Sequence, residues 1–299
     1  MYSTLSLINR NIKTYLRDKT AVFFSFLSVI ILLTLYLLFL GNNLKPTGMD
    51  GILTESELTF MVYAQLIPGL IVINNVSIPL GNLGNIINDF EYRQIDGFLV
   101  TPIKRYKVIL SYYLASFIIT VVITVLLVIF AFLLMGIATG IHLTLDVYLK
   151  SILLTVLFSF ISTAVMVFMT SLIRSVNAFG AVSGVFGTLI GFASGIYMPL
   201  FILPGFISKV ASLLPFTHMN ILLKRMVLPQ AFDLLDPSKF DTEASYLSTL
   251  EELKATYGYN EIGILGLDVP MIWVMVGCIV LSVGLLFVAG RIMSKRIKN

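Results

Sequence analysis

The sequence predicts an all-α polytopic membrane protein with six membrane-spanning helices. Of its 299 residues, 58% are hydrophobic and 12% are charged, whereas a soluble domain is about half apolar and about a quarter charged. Six charge-free windows are long enough to cross a bilayer, because ~30 Å of hydrocarbon requires roughly 20 helical residues. This composition excludes an ordinary soluble enzyme, a disordered chain and a nucleic-acid-binding protein. We therefore attribute the net charge of +4 to orientation in a membrane.

The six spans follow from these windows in chain order, with approximate bounds of 20–41, 59–83, 108–136, 151–173, 176–198 and 269–290. The fifth charge-free window is longer than one span, and Pro199 and Pro204 interrupt the helical pattern after the predicted span. The stretch 200–214, which is followed by Pro215, is too short to cross a membrane and too apolar for a solvated loop. It predicts an outer re-entrant or interfacial hairpin after span five.

The distribution of basic residues predicts that both termini lie in the cytosol. With the N-terminus inside, most of the 20 Lys and Arg residues fall on inner segments, as the positive-inside rule requires. Segment 2–19 has apolar residues at helical spacing opposite a basic face, namely Leu5, Ile8, Ile12, Tyr15 and Leu16. We expect an amphipathic helix on the inner leaflet, with a plain basic flank as the alternative.

Residues 226–268 form the longest polar segment and are predicted to be an exofacial insert with a short helix. At about forty residues, this insert is too small to form an independent domain. The whole chain, 1–299, is therefore predicted to be a single transmembrane domain.

The inner loop between spans two and three, residues 86–107, is the most informative stretch. It reads IINDFEYRQIDGFLVTPIKRYK, with apolar residues near helical spacing and Pro102 closing the first element. A plain basic turn needs neither an apolar face nor acidic residues. We therefore expect a short amphipathic helix that docks on a cytosolic partner, with a solvated loop as the alternative. Four charged residues lie between the apolar ones: Asp89, Glu91, Arg93 and Asp96.

Span two carries amide side chains, namely Gln65, Asn74 and Asn75. An unpaired amide in hydrocarbon costs several kcal/mol, so these groups are expected to face the bundle interior, a partner helix or a wet path. Contact between helices within the bundle is an equally good interpretation. Because no span contains Asp, Glu, Lys or Arg, the sequence argues against an ion-driven carrier.

Span five carries glycines on one helix face, at Gly180, Gly184, Gly187, Gly191 and Gly195. Small residues in such a stripe allow two helices to approach closely. The stripe predicts close packing or a dimer contact, and a smooth wall along a substrate path is the alternative.

Catalytic and metal-binding patterns are absent from the sequence. There is no GxxxxGK[ST] phosphate-binding loop, and the single Cys and two His residues form no metal-binding motif. No nucleophile and base stand close together, so an intramembrane enzyme is disfavoured. We predict no catalytic residue, no metal site and no cofactor in this chain.

Three features in this order resemble the ABC-2 type permease family, the membrane subunits of bacterial ABC exporters. The first is the amphipathic N-terminal segment. The second is the inner motif Asp-Phe-Glu-Tyr-Arg at 89–93, followed by Asp-Gly-Phe-Leu-Val-Thr-Pro-Ile-Lys-Arg at 96–105. The third is the outer segment that begins with Ser194-Gly195 and continues through Pro199 and Pro204 to Pro215.

This resemblance implies a bacterial plasma-membrane protein that pairs with a second copy or a sister permease. A separate ATPase subunit would bind ATP and Mg²⁺ at the inner face. The element containing Asp89, Glu91, Arg93, Asp96 and Pro102 would be the coupling helix, with the N-terminal helix as a second contact. The resemblance also implies that spans two and five face the other protomer and line the substrate path. The outer hairpin would act as a lid on that path.

The function implied by the resemblance is export of an amphiphilic or lipophilic substrate, such as an antibiotic, a drug, an antimicrobial peptide or a lipid. A substrate path lined by glycine and apolar side chains with a few amides is compatible with an amphiphilic molecule. Export of lipid-linked polysaccharide and a non-transporting membrane sensor or scaffold are the alternatives.

Overall fold

The computed structural model of the chain describes residues 2–20, 22–23, 34, 45–46, 49, 51–99, 103–195, 205–260, 264–265, 267 and 269–296. Within these residues the architecture is helical, as predicted, and the β-structure consists of isolated bridges, one of which joins Ile264 and Leu267. The predicted first span, 20–41, lies almost entirely outside the described residues, as do Pro102, Pro199 and Pro204.

The described helices are α1 (Tyr2–Arg17), α2 (Glu55–Glu91), α3 (Asp96–Leu99), α4 (Arg105–Thr139), α5 (Leu145–Leu172), α6 (Val176–Ala193), α7 (Gly205–Ala211), α8 (Pro215–Phe232), α9 (Glu243–Thr256) and α10 (Met271–Arg296). A 3-10 turn, Pro237–Lys239, precedes α9.

Four of these helices, α2, α4, α5 and α10, are long and apolar enough to cross a membrane, so the chain is a multi-pass membrane protein. They coincide with the predicted spans at 59–83, 108–136, 151–173 and 269–290. The shorter apolar helix α6 lies within the predicted span 176–198. Helices α7 and α8 meet at an angle of 84°, and counting this bent pair as one span gives five. The total of six spans stays a prediction.

Helix α2 forms the centre of the bundle and packs against α4, α5, α6 and α8. Its start is fixed by a capping box: the Glu57 amide donates to Thr54 Oγ1 at 3.4 Å, and the Thr54 amide donates to Glu57 Oε2 at 2.7 Å. From Phe60 to Val76 every residue of α2 is buried. The main hydrophobic core therefore forms around one helix.

Helix α8 differs from the sequence-based interpretation. Pro215 occupies the first turn of this helix, where its missing amide hydrogen costs nothing. The helix then runs to Phe232 with most of its side chains buried against α2, α5 and α10. The first residues of the predicted exofacial insert, beginning at Met226, thus belong to a buried helix. The predicted helix in the insert is present as α9. The angle between α7 and α8 is compatible with a re-entrant hairpin, which remains a prediction.

Candidate functional site

The acidic inner segment forms the end of α2 and the turn that follows it. Helix α2 continues to Glu91, and the chain then reverses through residues 92–95 before the four-residue helix α3. The Ile95 amide donates to the Asp89 carbonyl at 3.2 Å, and Arg93 has a φ of 55°. A left-handed residue with a side chain is uncommon and marks a tightly constrained turn.

Asp89 is the most strongly held carboxylate of this segment. Its side chain is 7% exposed and forms two parallel hydrogen bonds with the Arg10 guanidinium of α1. Arg10 Nη1 donates to Oδ2 at 2.5 Å and Nη2 donates to Oδ1 at 3.1 Å. The Tyr112 hydroxyl of α4 donates to the same carboxylate. This hydrogen bonding raises the pKa of Arg10 above its usual value, and such paired, charge-assisted bonds are the strongest of their kind.

An apolar cluster surrounds this ion pair and brings five helices together. It consists of Leu7 of α1, Ile86 and Ile87 of α2, Val108, Ile109 and Tyr112 of α4, Phe179 of α6, and Met293 of α10. The approach of α6 depends on Gly84, because a Cβ at that position would stand 3.1 Å from the Phe179 ring. The end of α2 is thus the point at which these helices meet.

Glu91 connects the end of α2 to the start of α6. Its Oε2 accepts a hydrogen bond from the Val176 amide at 2.5 Å, next to the Ser175 hydroxyl that accepts from the Ala178 amide. A carboxylate at this position is favoured, because the first amides of a helix have no intrahelical partner and carry partial positive charge.

Arg296 connects the end of α10 to the same region. Its guanidinium donates to the Ile173 carbonyl at 2.8 Å and to the Arg174 carbonyl at 3.1 Å. It also lies 4.5 Å from the centre of the Phe90 ring of α2. We call the contacts of Arg10, Tyr112, Val176 and Arg296 with the end of α2 the inner junction.

The predicted coupling residues have two different environments. Asp89 is buried, so its side chain faces the interior of this chain rather than an outside partner. Glu91 is exposed but engaged with α6, whereas Arg93 and Asp96 are exposed on the turn and on α3. Only the last two present side chains on the surface without a hydrogen bond to another helix among the described contacts. The coupling role of all of them, including Pro102, stays a prediction.

Arg10 and Tyr112 were not among the predicted site residues. The predicted apolar face of α1 comprised Leu5, Ile8, Ile12, Tyr15 and Leu16. In the structure, Leu7, Asn11 and Tyr15 face the protein, while Leu5 and Leu16 are each 57% exposed. The helix itself is confirmed, and Tyr15 belongs to both the predicted and the buried stripe, but the centre of the buried stripe lies about a quarter turn from the predicted one.

The amides of span two lie inside the bundle. Asn74 and Asn75 donate to the carbonyls of Leu70 and Ile71 at 2.9 and 3.0 Å, and Ser159 of α5 donates to Asn75 Oδ1 at 2.7 Å. Gln65 is also buried, and its Oε1 has no hydrogen-bond partner among the described residues. The contact from Ser159 makes Asn75 a link between α2 and α5. A path-lining role for Gln65, Asn74 and Asn75 stays a prediction.

The glycines of the α6 stripe become more buried toward the end of the helix. Gly184 is exposed and Gly187 is half-buried, and a Cβ at either position would meet no described atom within 4 Å. Gly191 and Gly195 are buried, and Gly195 has a φ of 68° just after the helix ends. Asn220 of α8 donates to the Ser194 and Gly195 carbonyls at 3.1 and 3.3 Å. The last two of the five glycines thus pack within the chain, and the first three, Gly180 included, are open.

Among the described residues, no three His, Cys, Asp or Glu side chains lie close enough together to hold a metal ion. At the end of α2, buried ionic and apolar contacts hold one short exposed turn against several long helices.

Comparison with known proteins identifies one matching family. The family model described as the ABC-2 type transporter matches residues 2–225, which is well over half of the chain. The match begins at α1 and ends within α8, so it includes Arg10, the end of α2 and the whole of α6. No curated protein matches this chain.

Proposed function

Because this chain belongs to the ABC-2 type transporter family and is the membrane permease component of an ABC transporter, we propose that it exports an amphiphilic or lipophilic substrate. ATP would be hydrolysed, with Mg²⁺, by a separate ATPase subunit. The proposal includes a bacterial plasma membrane with both termini in the cytoplasm. Substrates of this class include antibiotics, drugs, antimicrobial peptides and lipids.

The inner junction is the observation that carries this proposal. A force applied to the exposed turn at Arg93 and Asp96 acts on the end of α2, which is joined to α1, α4, α6 and α10 by charged, polar and apolar contacts. Packed helices with such contacts move as rigid bodies rather than deforming continuously. Asp89 then acts as a positioning residue that fixes α1 and α4 to α2, and Arg93 and Asp96 contact the ATPase.

The permease is proposed to work as a pair with a second copy or a sister permease. The open part of the α6 stripe at Gly184 and Gly187 is the contact surface that we infer. Small side chains on an exposed apolar helix favour close approach of a second helix. The outer hairpin that ends at Pro215 would close the path.

The first experiment is a mild-detergent purification of the tagged chain from its own host, followed by mass spectrometry of the recovered proteins. A P-loop ATPase in about equal amount supports the proposal. Absence of an ATPase even after crosslinking in native membranes contradicts it and favours the sensor or scaffold function.

Charge reversal at the exposed turn then tests the docking surface. We expect Asp96→Lys with Arg93→Glu to reduce ATPase recovery at least tenfold. The matched control is Glu252→Lys on α9, another exposed acidic residue, which should recover the ATPase at the wild-type level. Normal recovery with the Asp96 and Arg93 variant would show that the ATPase docks elsewhere.

A further inference from the structure

An open apolar groove of about 620 Å³ lies between α4, α5 and α10. Ile109 and Leu110 of α4 form one wall, and Leu286 and Phe287 of α10 form the other. Val167 of α5 lies at the groove as well. The groove is bounded by three helices that are long and apolar enough to cross a membrane, so its surroundings include lipid.

Polar side chains line one end of the groove. They are Tyr106 near the start of α4, and Arg291, Ser294 and Lys295 near the end of α10. Arg291 and Lys295 are exposed, and the Arg291 guanidinium lies 4.5 Å from the centre of the Phe287 ring, at the boundary between the apolar and basic parts. The described lining includes no acidic side chain. The groove is thus apolar along its length and positively charged at one end.

We propose that this groove binds an anionic phospholipid. Its acyl chain would lie along Ile109, Leu110 and Leu286, and its phosphate would pair with Arg291 and Lys295. Apolar contacts alone would not distinguish one lipid from another, because every acyl chain supplies them. The two basic groups provide the selectivity, since basic pockets between membrane helices bind acidic headgroups, and guanidinium–phosphate pairing is charge-assisted. The proposal does not depend on the exported substrate or on the ATPase.

Native mass spectrometry of the purified chain, titrated with dioleoylphosphatidylglycerol or dioleoylphosphatidylcholine, tests the headgroup preference. We expect tighter binding of phosphatidylglycerol, and a loss of about thirtyfold in its affinity for Arg291→Gln with Lys295→Gln. The control variant, Lys13→Gln with Arg17→Gln on α1, removes two exposed positive charges outside the groove. Equal binding of the two lipids by the wild type, or an equal loss in the control, would overturn the proposal.

A second pair of variants tests the groove itself with its charges intact. Gly290 lines the groove and Gly284 does not, yet a Cβ at either position would meet no described atom within 4 Å. Both variants should fold, because leucine is favoured over glycine in a helix. We expect Gly290→Leu to weaken binding of both lipids and Gly284→Leu to leave it unchanged. Wild-type lipid binding by Gly290→Leu would show that lipid binds outside the groove, and no lipid binding by the wild-type chain would overturn the proposal.

Discussion

Asp89 and Lys224 are both buried charged residues, but they are stabilised in different ways. Asp89 faces an opposite charge, the Arg10 guanidinium, and a hydroxyl from a third helix. Lys224 of α8 is 5% exposed, and its Nζ donates to the Tyr257 carbonyl at the end of α9, at 2.7 Å. The neighbouring Arg225 donates to the Tyr259 carbonyl at 3.0 Å. The first arrangement joins three helices by an ion pair and a hydroxyl, whereas the second holds one short helix by carbonyls at and just beyond its C-terminal end.

Because of this difference, substituting Asp89 and substituting Lys224 deprive different groups of a hydrogen-bonding contact. Removing one member of a buried ion pair leaves an uncompensated charge, which destabilises strongly. Removing a lysine that is bonded to a carbonyl leaves a neutral acceptor at the negative end of a helix dipole, which is a smaller loss. The inner junction is therefore expected to be the more sensitive of the two regions.

The largest effect is expected for Asp89→Ala, which removes the carboxylate that the partly buried Arg10 faces. We expect the free energy of unfolding to fall by about 3 kcal/mol, measured by thermal or denaturant unfolding in detergent. Arg10→Ala should cost a similar amount, and the double variant should cost clearly less than the sum of the two. Asp96→Ala, at an exposed position, is the control and should change stability by less than about 0.5 kcal/mol. Strict additivity of Asp89→Ala and Arg10→Ala would mean that the pair is not coupled.

A smaller effect is expected for Lys224→Met, which keeps the length and apolar stem of the side chain. The Tyr257 carbonyl loses its donor at a cost of about 1–2 kcal/mol, partly offset because an ammonium group is no longer buried. The loss should be local, so hydrogen exchange should accelerate in α9 and remain unchanged at the end of α2. Faster exchange throughout the bundle would show that α8 and α9 are not separable from the inner junction. Lys254→Met, in an exposed i,i+3 pair with Glu251, is the matched control.

The smallest effect is expected for a pair of glycine substitutions on α2. Alanine normally stabilises a helix by about 1 kcal/mol relative to glycine, and Gly81→Ala should show that gain because its Cβ would meet no described atom within 4 Å. Gly84→Ala should show little or none of it, since its Cβ would press on the Phe179 ring. The comparison uses unfolding midpoints of the two variants. Equal stabilisation would mean that α6 can shift away from α2 at no cost.

Four of the spans could be predicted from the sequence, because a long apolar window is recognisable without knowledge of its contacts. The contacts between helices could not. Arg10 and Asp89 are separated by 79 residues, and nothing in the local pattern of either segment identifies the other as its partner. For α1, the apolar pattern of a single helix does not show which residues face α4. The structure selects Leu7, Asn11 and Tyr15.

For helix α8, the sequence pattern indicates an exposed segment where the structure shows a buried one. Lys224 and Arg225 interrupt an otherwise apolar run, and two consecutive basic residues ordinarily indicate a solvated boundary. The carbonyls that accept their hydrogen bonds come from residues 257 and 259, 33 and 34 positions further along the chain. A buried charge of this kind becomes recognisable only when its distant partner is known.

Helix α6 is held by hydrogen bonds at both of its ends. Its first amide is bonded to Glu91, and the residues just beyond its last turn are bonded to Asn220. The 18 residues between these points span ~27 Å at 1.5 Å per residue. A twist imposed at Glu91 must therefore either turn the Asn220 end or be absorbed as torsion in between. Gly184 and Gly187, where a Cβ would meet no described atom within 4 Å, lie in that interval, and the low helix propensity of glycine favours torsion there.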